Sequence, residues 1–261
     1  MKDKYVYYKN DKEKVLYKIK EDKDEFVLLV GVYIRMMKRC LKSEVRMATE
    51  EEIKKEEAKN NDKYQMIQKI NIRNKKFLCG KILHIDGDNE YLNRCIELYN
   101  KLGVYSYGIM LEESQIRNNI EKYIIELDPD VVVITGHDSY NGNNIKELSN
   151  YTNTKNFCEA IKKVRKIKGK NDIVVIAGAC QSNFEALIAS GANFASSPKR
   201  INIHTYDPAV IAVKVATTDF KKSVSMNNIE RLIENGLDAF GGVDTLGKMR
   251  GLLWGRMRKS I

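Results

Sequence analysis

Two phrases hold the residues best suited to covalent chemistry. "IVVIAGACQSNFEAL" (173–187) runs through five apolar residues, turns on Ala-Gly-Ala and sets Cys180 before a helical-looking stretch. "VVVITGHD" (131–138) has the same shape but ends on His137 and Asp138. A thiol is nucleophilic as its thiolate, and an imidazole within reach takes the proton and later returns it to a leaving amine. Apolar runs of this length followed by a sharp turn read as buried strands, and in open parallel sheets ligands and catalytic groups gather at the carboxyl ends of strands. If the strand order is 2-1-3-4-5, the two strands are neighbours roughly 4.8 Å apart, and both side chains reach one crevice. Gly178 lets the backbone turn, and a cysteine at a helix N-terminus would have its thiolate favoured by free N–H groups and the helix dipole. The same N–H groups would hold an oxyanion.

The elements that must position these residues follow from periodicity. From about residue 76, short apolar runs ("KILHID", "VYSYGIM", "VVVIT", "IVVIA", "ANFAS") alternate with amphipathic stretches ending at Leu102 and spanning 112–127, 154–168 and 182–190. Later helices are expected near 208–217 and 226–235. That alternation predicts a doubly wound α/β unit with a mainly parallel sheet. Residues 1–47 differ: "YVYYKN", "VLYKIK" and "FVLLVGVYIRMM" are aromatic and β-branched, separated by charged tips, and predict a small β-rich barrel of SH3-like size. The almost wholly polar stretch 48–75 marks the boundary as an exposed helix or linker. The expected division is therefore 1–47, 48–75 and 76–261.

Composition narrows the function classes. With 43% hydrophobic residues the chain has material for a core, and no apolar run is long enough to span a bilayer. The N-terminus lacks the apolar region of a signal peptide. Five scattered cysteines without a CxxC pair argue against a disulfide framework or thiolate zinc site, and for reduced thiols. A net charge of +10 with glutamates interleaved reads as a solvated basic surface, and no nucleic-acid-binding signature accompanies it. No metal, cofactor, nucleic acid or membrane partner is expected. Cys40, Cys79, Cys95 and Cys158 read as small core residues; the strand-turn position and the matching His137 set Cys180 apart.

Beyond these phrases, "GHDSYNG", "VVIAGACQSNFEALIASGANFASSPKRINIH" and "GGVDTLGKMRG" resemble the YabG family of sporulation-specific proteases of spore-forming Firmicutes. The resemblance extends over nearly the whole chain, including "LVGVYIRM". It implies a cysteine endopeptidase of the mother-cell cytoplasm, associated with the forming spore coat, that trims coat and morphogenetic proteins after basic residues, especially arginine. The two strand ends also resemble the caspase-like peptidases (gingipain, clostripain, legumain), which end one strand in His-Gly and another in Ala-Cys. Here Ala179-Cys180 fits, whereas Gly136-His137-Asp138 lacks the glycine after the histidine. An N–H of Asp138, or one after Cys180 such as that of Gln181, would have to hold the oxyanion.

A pocket for arginine calls for a buried carboxylate. Asp138, Asp207 and Asp244 are candidates, each with turn formation or helix capping as the plainer explanation. His204 is a candidate spare base or substrate contact, and His84 a further histidine near a strand end, both otherwise ordinary hydrogen-bonding residues. Asp86-Gly-Asp88 caps a helix or holds a magnesium ion. "SSPKR" (196–200), "IRNKK" (72–76) and "GRMRK" (255–259) are candidate sites of self-processing. Two other readings stand beside the peptidase. One is a receiver-like signalling or scaffold module built on Asp86, Asp88 and Lys199, and the other is an amidotransferase-like hydrolase, against which Ser182 stands where a glycine is usual.

Overall fold

The computed structural model describes residues 4–11, 13–68 and 77–251. The first strands, β1 (Tyr5–Tyr8), β2 (Leu16–Lys23), β3 (Phe26–Gly31), β4 (Met37–Leu41) and β5 (Val45–Met47), form an antiparallel sheet in the order β4-β3-β2-β1-β5. Alternate residues turn one way, so Val6, Tyr17, Ile19, Val27, Leu29, Cys40 and Val45 make a single small core. Strands β4 and β5 are its two edges, and among the described residues no ladder joins them.

One expected strand divides in two. "FVLLVGVYIRMM" stops pairing after Gly31, whose N–H bonds the Met36 carbonyl at 2.7 Å, and residues 32–36 leave the sheet as a turn before β4 begins. The apolar character of that turn serves another surface, described below.

Helix α1 (Glu50–Gln68) opens on a capping box: Thr49 Oγ1 accepts from Glu52 N–H at 3.2 Å, and the Glu52 carboxylate accepts from Thr49 N–H at 3.0 Å. Its far end is not an exposed linker. Ile67 is fully buried in the main core, Tyr64 meets the Tyr206 ring at 6.4 Å, and Lys63 pairs with Asp207 at 2.7 Å.

Next in the chain come β6 (Phe77–Leu78), β7 (Ile82–Asp86), α2 (Asn89–Leu102), β8 (Ser106–Met110), α3 (Glu113–Leu127), β9 (Val131–Thr135), α4 (Thr154–Ile167), β10 (Val174–Ala177), α5 (Phe184–Ala189), β11 (Phe194–Ser196) and α6 (Asp207–Thr217). They are followed by β12 (Ser223–Val224), α7 (Gly236–Ala239), β13 (Phe240–Gly242), β14 (Thr245–Leu246) and β15 (Arg250–Gly251). The central sheet has the order β13-β11-β10-β9-β7-β8, parallel except for β13. Its five parallel strands follow the 2-1-3-4-5 order, with an antiparallel edge strand that periodicity did not announce. Strands β12 with β14 and β6 with β15 form two short ladders at the periphery.

Both faces of this sheet are buried. Val131, Val133, Val174 and Ile176 face the α2 and α6 side, whereas Val132, Ile134, Val175 and Ala177 face α3, α4 and α5. Each fully buried Val or Ile contributes about 1.5–3 kcal/mol, so strands this short hold through two packed faces. The helix expected near 226–235 is replaced by two 3₁₀ turns, Met226–Asn228 and Glu230–Leu232. Asn228 Oδ1 accepts from both the N–H and the hydroxyl of Ser225, closing the first turn on itself.

Candidate active site

The positions of Cys180 and His137 follow from strand register. Ala177 of β10 pairs with Ile134 of β9; His137 stands three residues past Ile134 and Cys180 three past Ala177. Equal offsets beyond one rung of neighbouring parallel strands put both residues just past the carboxyl end of the sheet. At β10 the exit turns on Gly178 (φ 107), where any Cβ would strike the Ser196 hydroxyl. Ser196 Oγ donates to the Ala179 carbonyl at 2.7 Å, and the Ser182 hydroxyl accepts from Ala179 N–H at 3.0 Å. These bonds fix the backbone just before the thiol.

Cys180 is 2% exposed and sits in the core on the α2/α6 side. Ile203 N–H donates to Sγ at 3.2 Å. Burial pushes the thiol up to about 12, with the Ile203 bond opposing, so in this arrangement the group is a protonated thiol. The expectation of a helix-activated thiolate is not met: Gln181 is left-handed (φ 58), Asn183 is the N-cap, and α5 begins only at Phe184.

His137 is half-buried. Its Nε2 lies 3.2 Å from Asp88 Oδ2, and its ring is tilted over Tyr91 at 5.7 Å. Nδ1 is buried and has no hydrogen-bond partner among the described residues. Asp88 also accepts from Glu90 and Tyr91 N–H as the N-cap of α2. Burial works against its charge, yet the His137 bond and Lys20 hold the carboxyl far below the usual carboxylate range. Asp88 thus both caps the helix and orients the imidazole, a role the Asp-Gly-Asp phrase signals only through its place at a strand end. Glu113 is a second residue that the sequence reading missed. Its carboxylate accepts from His137 N–H at 2.6 Å and occupies space that a Cβ on Gly87 or Gly136 would take.

The other candidates are distributed differently. Asp138 is buried and accepts from Ser139 and Asn153 N–H and from the Thr154 and Ser182 hydroxyls. It ties the β9 exit to α4 and to the Cys180 loop, and burial raises its pKa. Its carboxylate is spent on that clamp. Gln181 N–H is engaged by the Ile201 carbonyl and Ser197 Oγ, both at 3.1 Å, so it is not a free oxyanion donor in this state. Asp207 is buried at the start of α6, bonded to Lys63, His204 N–H and Glu234 N–H. His204 is buried and stacked on Tyr33 at 6.3 Å, with Nδ1 accepting from Tyr206 N–H; burial drives its pKa well below the usual value. Asp244 is exposed and lies two residues past Gly242, which pairs with Phe194 at the start of β11, so it leaves at the amino end of the parallel strands, the end opposite Cys180.

His84 is fully buried against Tyr99 at 2.8 Å. Asp86 is bonded to Arg35 at 2.7 Å and Asp88 to His137 and Lys20, so the acid pair needed by a receiver-like module is already engaged. Arg200 of "SSPKR" is largely buried, bonded to Tyr151, Glu185 and two backbone carbonyls, which removes it as an exposed processing site. "IRNKK" at 72–76 and "GRMRK" at 255–259 lie outside the described residues. Among the described residues no helix is long and apolar enough to cross a membrane, and no group of three His, Cys, Asp or Glu side chains is arranged to hold a metal.

The chain is 42% identical over 174 residues to the sporulation-specific protease YabG of Bacillus subtilis (strain 168), an alignment covering 66% of this chain and 60% of that protein. The sequence profile of the family described as YabG peptidase U57 matches residues 3–253, and the chain belongs to that family.

Proposed function

We propose that the chain is a cysteine endopeptidase in which Cys180 is the nucleophile and His137 the general base and acid. The observation that carries this reading is the equal offset of the two residues beyond the paired Ile134 and Ala177, together with the unpartnered Nδ1 of His137. In the reaction the thiol proton passes to His137 as Sγ attacks the scissile carbonyl. The tetrahedral intermediate collapses to a thioester while His137 protonates the departing amine, and water then releases the acid and regenerates the thiol. Asp88 is the positioning residue for the imidazole. Because Gln181 N–H is engaged, the oxyanion donor is a backbone N–H freed when substrate displaces the contacts around Ile201 and Ile203.

Membership of the YabG family supports spore coat and morphogenetic proteins as substrates, cleavage after arginine, processing of its own chain, and action in the mother-cell cytoplasm at the forming coat. We read residues 76–261 as a caspase-like peptidase domain, 1–47 as a small SH3-like barrel that recruits substrate or controls access, and 48–75 as the connector. The test is a paired incubation of wild type and Cys180→Ala with an acidic coat protein, with products identified by mass spectrometry. Cuts after arginine by wild type alone support the reading; equal cutting by both proteins removes Cys180 from it.

A further inference from the structure

The turn at residues 32–36 does not stay with its own sheet. Tyr33 O accepts from Thr205 N–H at 2.8 Å, Arg35 N–H donates to Ile203 O at 3.0 Å, and Ile34 bridges His204 in antiparallel register. A three-residue strand is thereby added to the backbone at 203–205, which also supplies the N–H bonded to Cys180 Sγ. From the other side Tyr91 OH donates to the Gly31 and Ile34 carbonyls, and Arg94 holds the Val32 carbonyl. Ile203 therefore joins the two: its N–H meets the thiol and its carbonyl meets the Arg35 N–H.

The Arg35 side chain descends into the carboxyl end of the sheet and is completely buried. Its Nη1 pairs with Asp86 Oδ2 at 2.7 Å, Nη2 reaches the Thr205 carbonyl at 3.4 Å and Cys95 Sγ at 3.7 Å, and the guanidinium lies 5.1 Å from the Tyr91 ring centroid. Asp86 ends β7, the neighbour of β9. The structure thus contains an arginine-shaped pocket with an acid at its base, beside the candidate nucleophile, filled by the chain itself. Open grooves of about 500 Å³, lined in part by Tyr33, Ile201 and Asn202, and about 440 Å³, lined in part by Asp88 and Lys20, lie on either side.

We propose that residues 33–35 are an internal pseudo-substrate strand, that Asp86 is the specificity-determining carboxylate for a substrate's arginine, and that Arg35 must withdraw before a substrate enters. This rests on the arginine-cleaving cysteine peptidase reading above. An extended peptide gains backbone hydrogen bonds by adding to an exposed strand edge while its side chains fill pockets, which is the relation that Tyr33–Arg35 has to 203–205. Asp138, Asp207 and Asp244 do not fit this role: two are saturated by other donors, and the third lies at the amino end of the parallel strands.

The test labels wild type, Arg35→Gln, Asp86→Asn and the Arg35→Gln/Asp86→Asn double variant with two peptide chloromethyl ketones, one ending in arginine and one in norleucine. The labelled residue is mapped by mass spectrometry and folding is checked by thermal melting. Arg35→Gln is expected to label with the arginyl probe at least about tenfold faster than wild type, since RT ln 10 is only about 1.4 kcal/mol of lost self-occupancy. Both proteins carrying Asp86→Asn are expected to lose the preference for arginyl over norleucyl. A folded Arg35→Gln protein that labels no faster overturns the pseudo-substrate, and retained arginyl preference in the double variant overturns Asp86. If Arg35→Gln fails to fold, the double variant, which buries no unpaired charge, decides. Label on a residue other than Cys180 in every protein overturns the peptidase reading itself, and this inference with it.

Discussion

Two buried ion pairs join the N-terminal part of the chain to the α/β unit, and they are built differently. Lys63–Asp207 lies where α1 meets the start of α6; its lysine is 14% exposed, and Asp207 also accepts two backbone N–H groups. Arg35–Asp86 lies at the carboxyl end of the sheet with both side chains 0% exposed, and Asp86 accepts only the Asp88 N–H besides its close contacts with Arg35 and His84. Burial raises the pKa of Asp207 in spite of Lys63. For Asp86 burial pulls the same way, but Arg35 and His84 prevail and the pKa is lowered. The first carboxylate is a clamp whose neighbours are local backbone. The second depends on one removable cation, which is what a binding pocket requires.

The largest expected effect separates chemistry from either pair. Cys180→Ala should reduce proteolysis by at least about 10⁴-fold, the scale on which nucleophile removal acts. Its melting temperature should change by only about 2–4 °C, the shift about 1 kcal/mol produces in a chain of this size class. Product analysis and a melting curve on one preparation check both. Next, Arg35→Ala should cost about 3–5 kcal/mol, because it strands a fully buried charge. Lys63→Met should cost only about 1–2 kcal/mol, since Asp207 keeps its N–H donors. Denaturant midpoints of the two variants test the contrast, and equal losses would erase the difference between the two pairs.

The smallest effect is in pH dependence. Asp86 has a lowered folded pKa, so its contribution is present above the ordinary aspartate value of about 3.9 and is lost as pH falls through the lowered one. Asp207 has a raised folded pKa, so its contribution is present below about 3.9 and is lost as pH rises through the folded value. The stability gap between wild type and Asp86→Asn should therefore shrink as pH falls from about 5 to about 3. The gap between wild type and Asp207→Asn should widen as pH is lowered from neutrality. Melting curves across that range read both signs.

Much of the scaffold was legible because it rests on local pattern. The apolar runs at 131–135 and 173–177 could be covered on both faces only in a parallel sheet, and the Gly-containing exits after them marked His137 and Cys180. Asp88 was half legible, since a carboxylate before a helix reads as a cap, but nothing local says that its second oxygen faces an imidazole 49 positions away. Glu113 was invisible for the same reason: only the folded chain brings an α3 carboxylate between Gly87 and Gly136. The acids proposed for arginine were chosen by proximity in sequence to the motifs. The one beneath Arg35 belongs to the first strand of the sheet, where it had been read as a capping or magnesium-binding residue.

Local pattern sets the alternation of strands and helices, the β-rich start, and the two strand ends carrying an imidazole and a thiol, because periodicity and turn chemistry act over a few residues. The tertiary structure alone decided where "VGVYIRM" goes. Its apolar and basic residues suit a strand equally well, and only the unpaired backbone at 203–205 together with an uncompensated carboxylate at Asp86 draws Tyr33–Arg35 out of the N-terminal sheet and over Cys180. Such complementarity between segments about 170 residues apart has no local signature, since each half is satisfied only by the other.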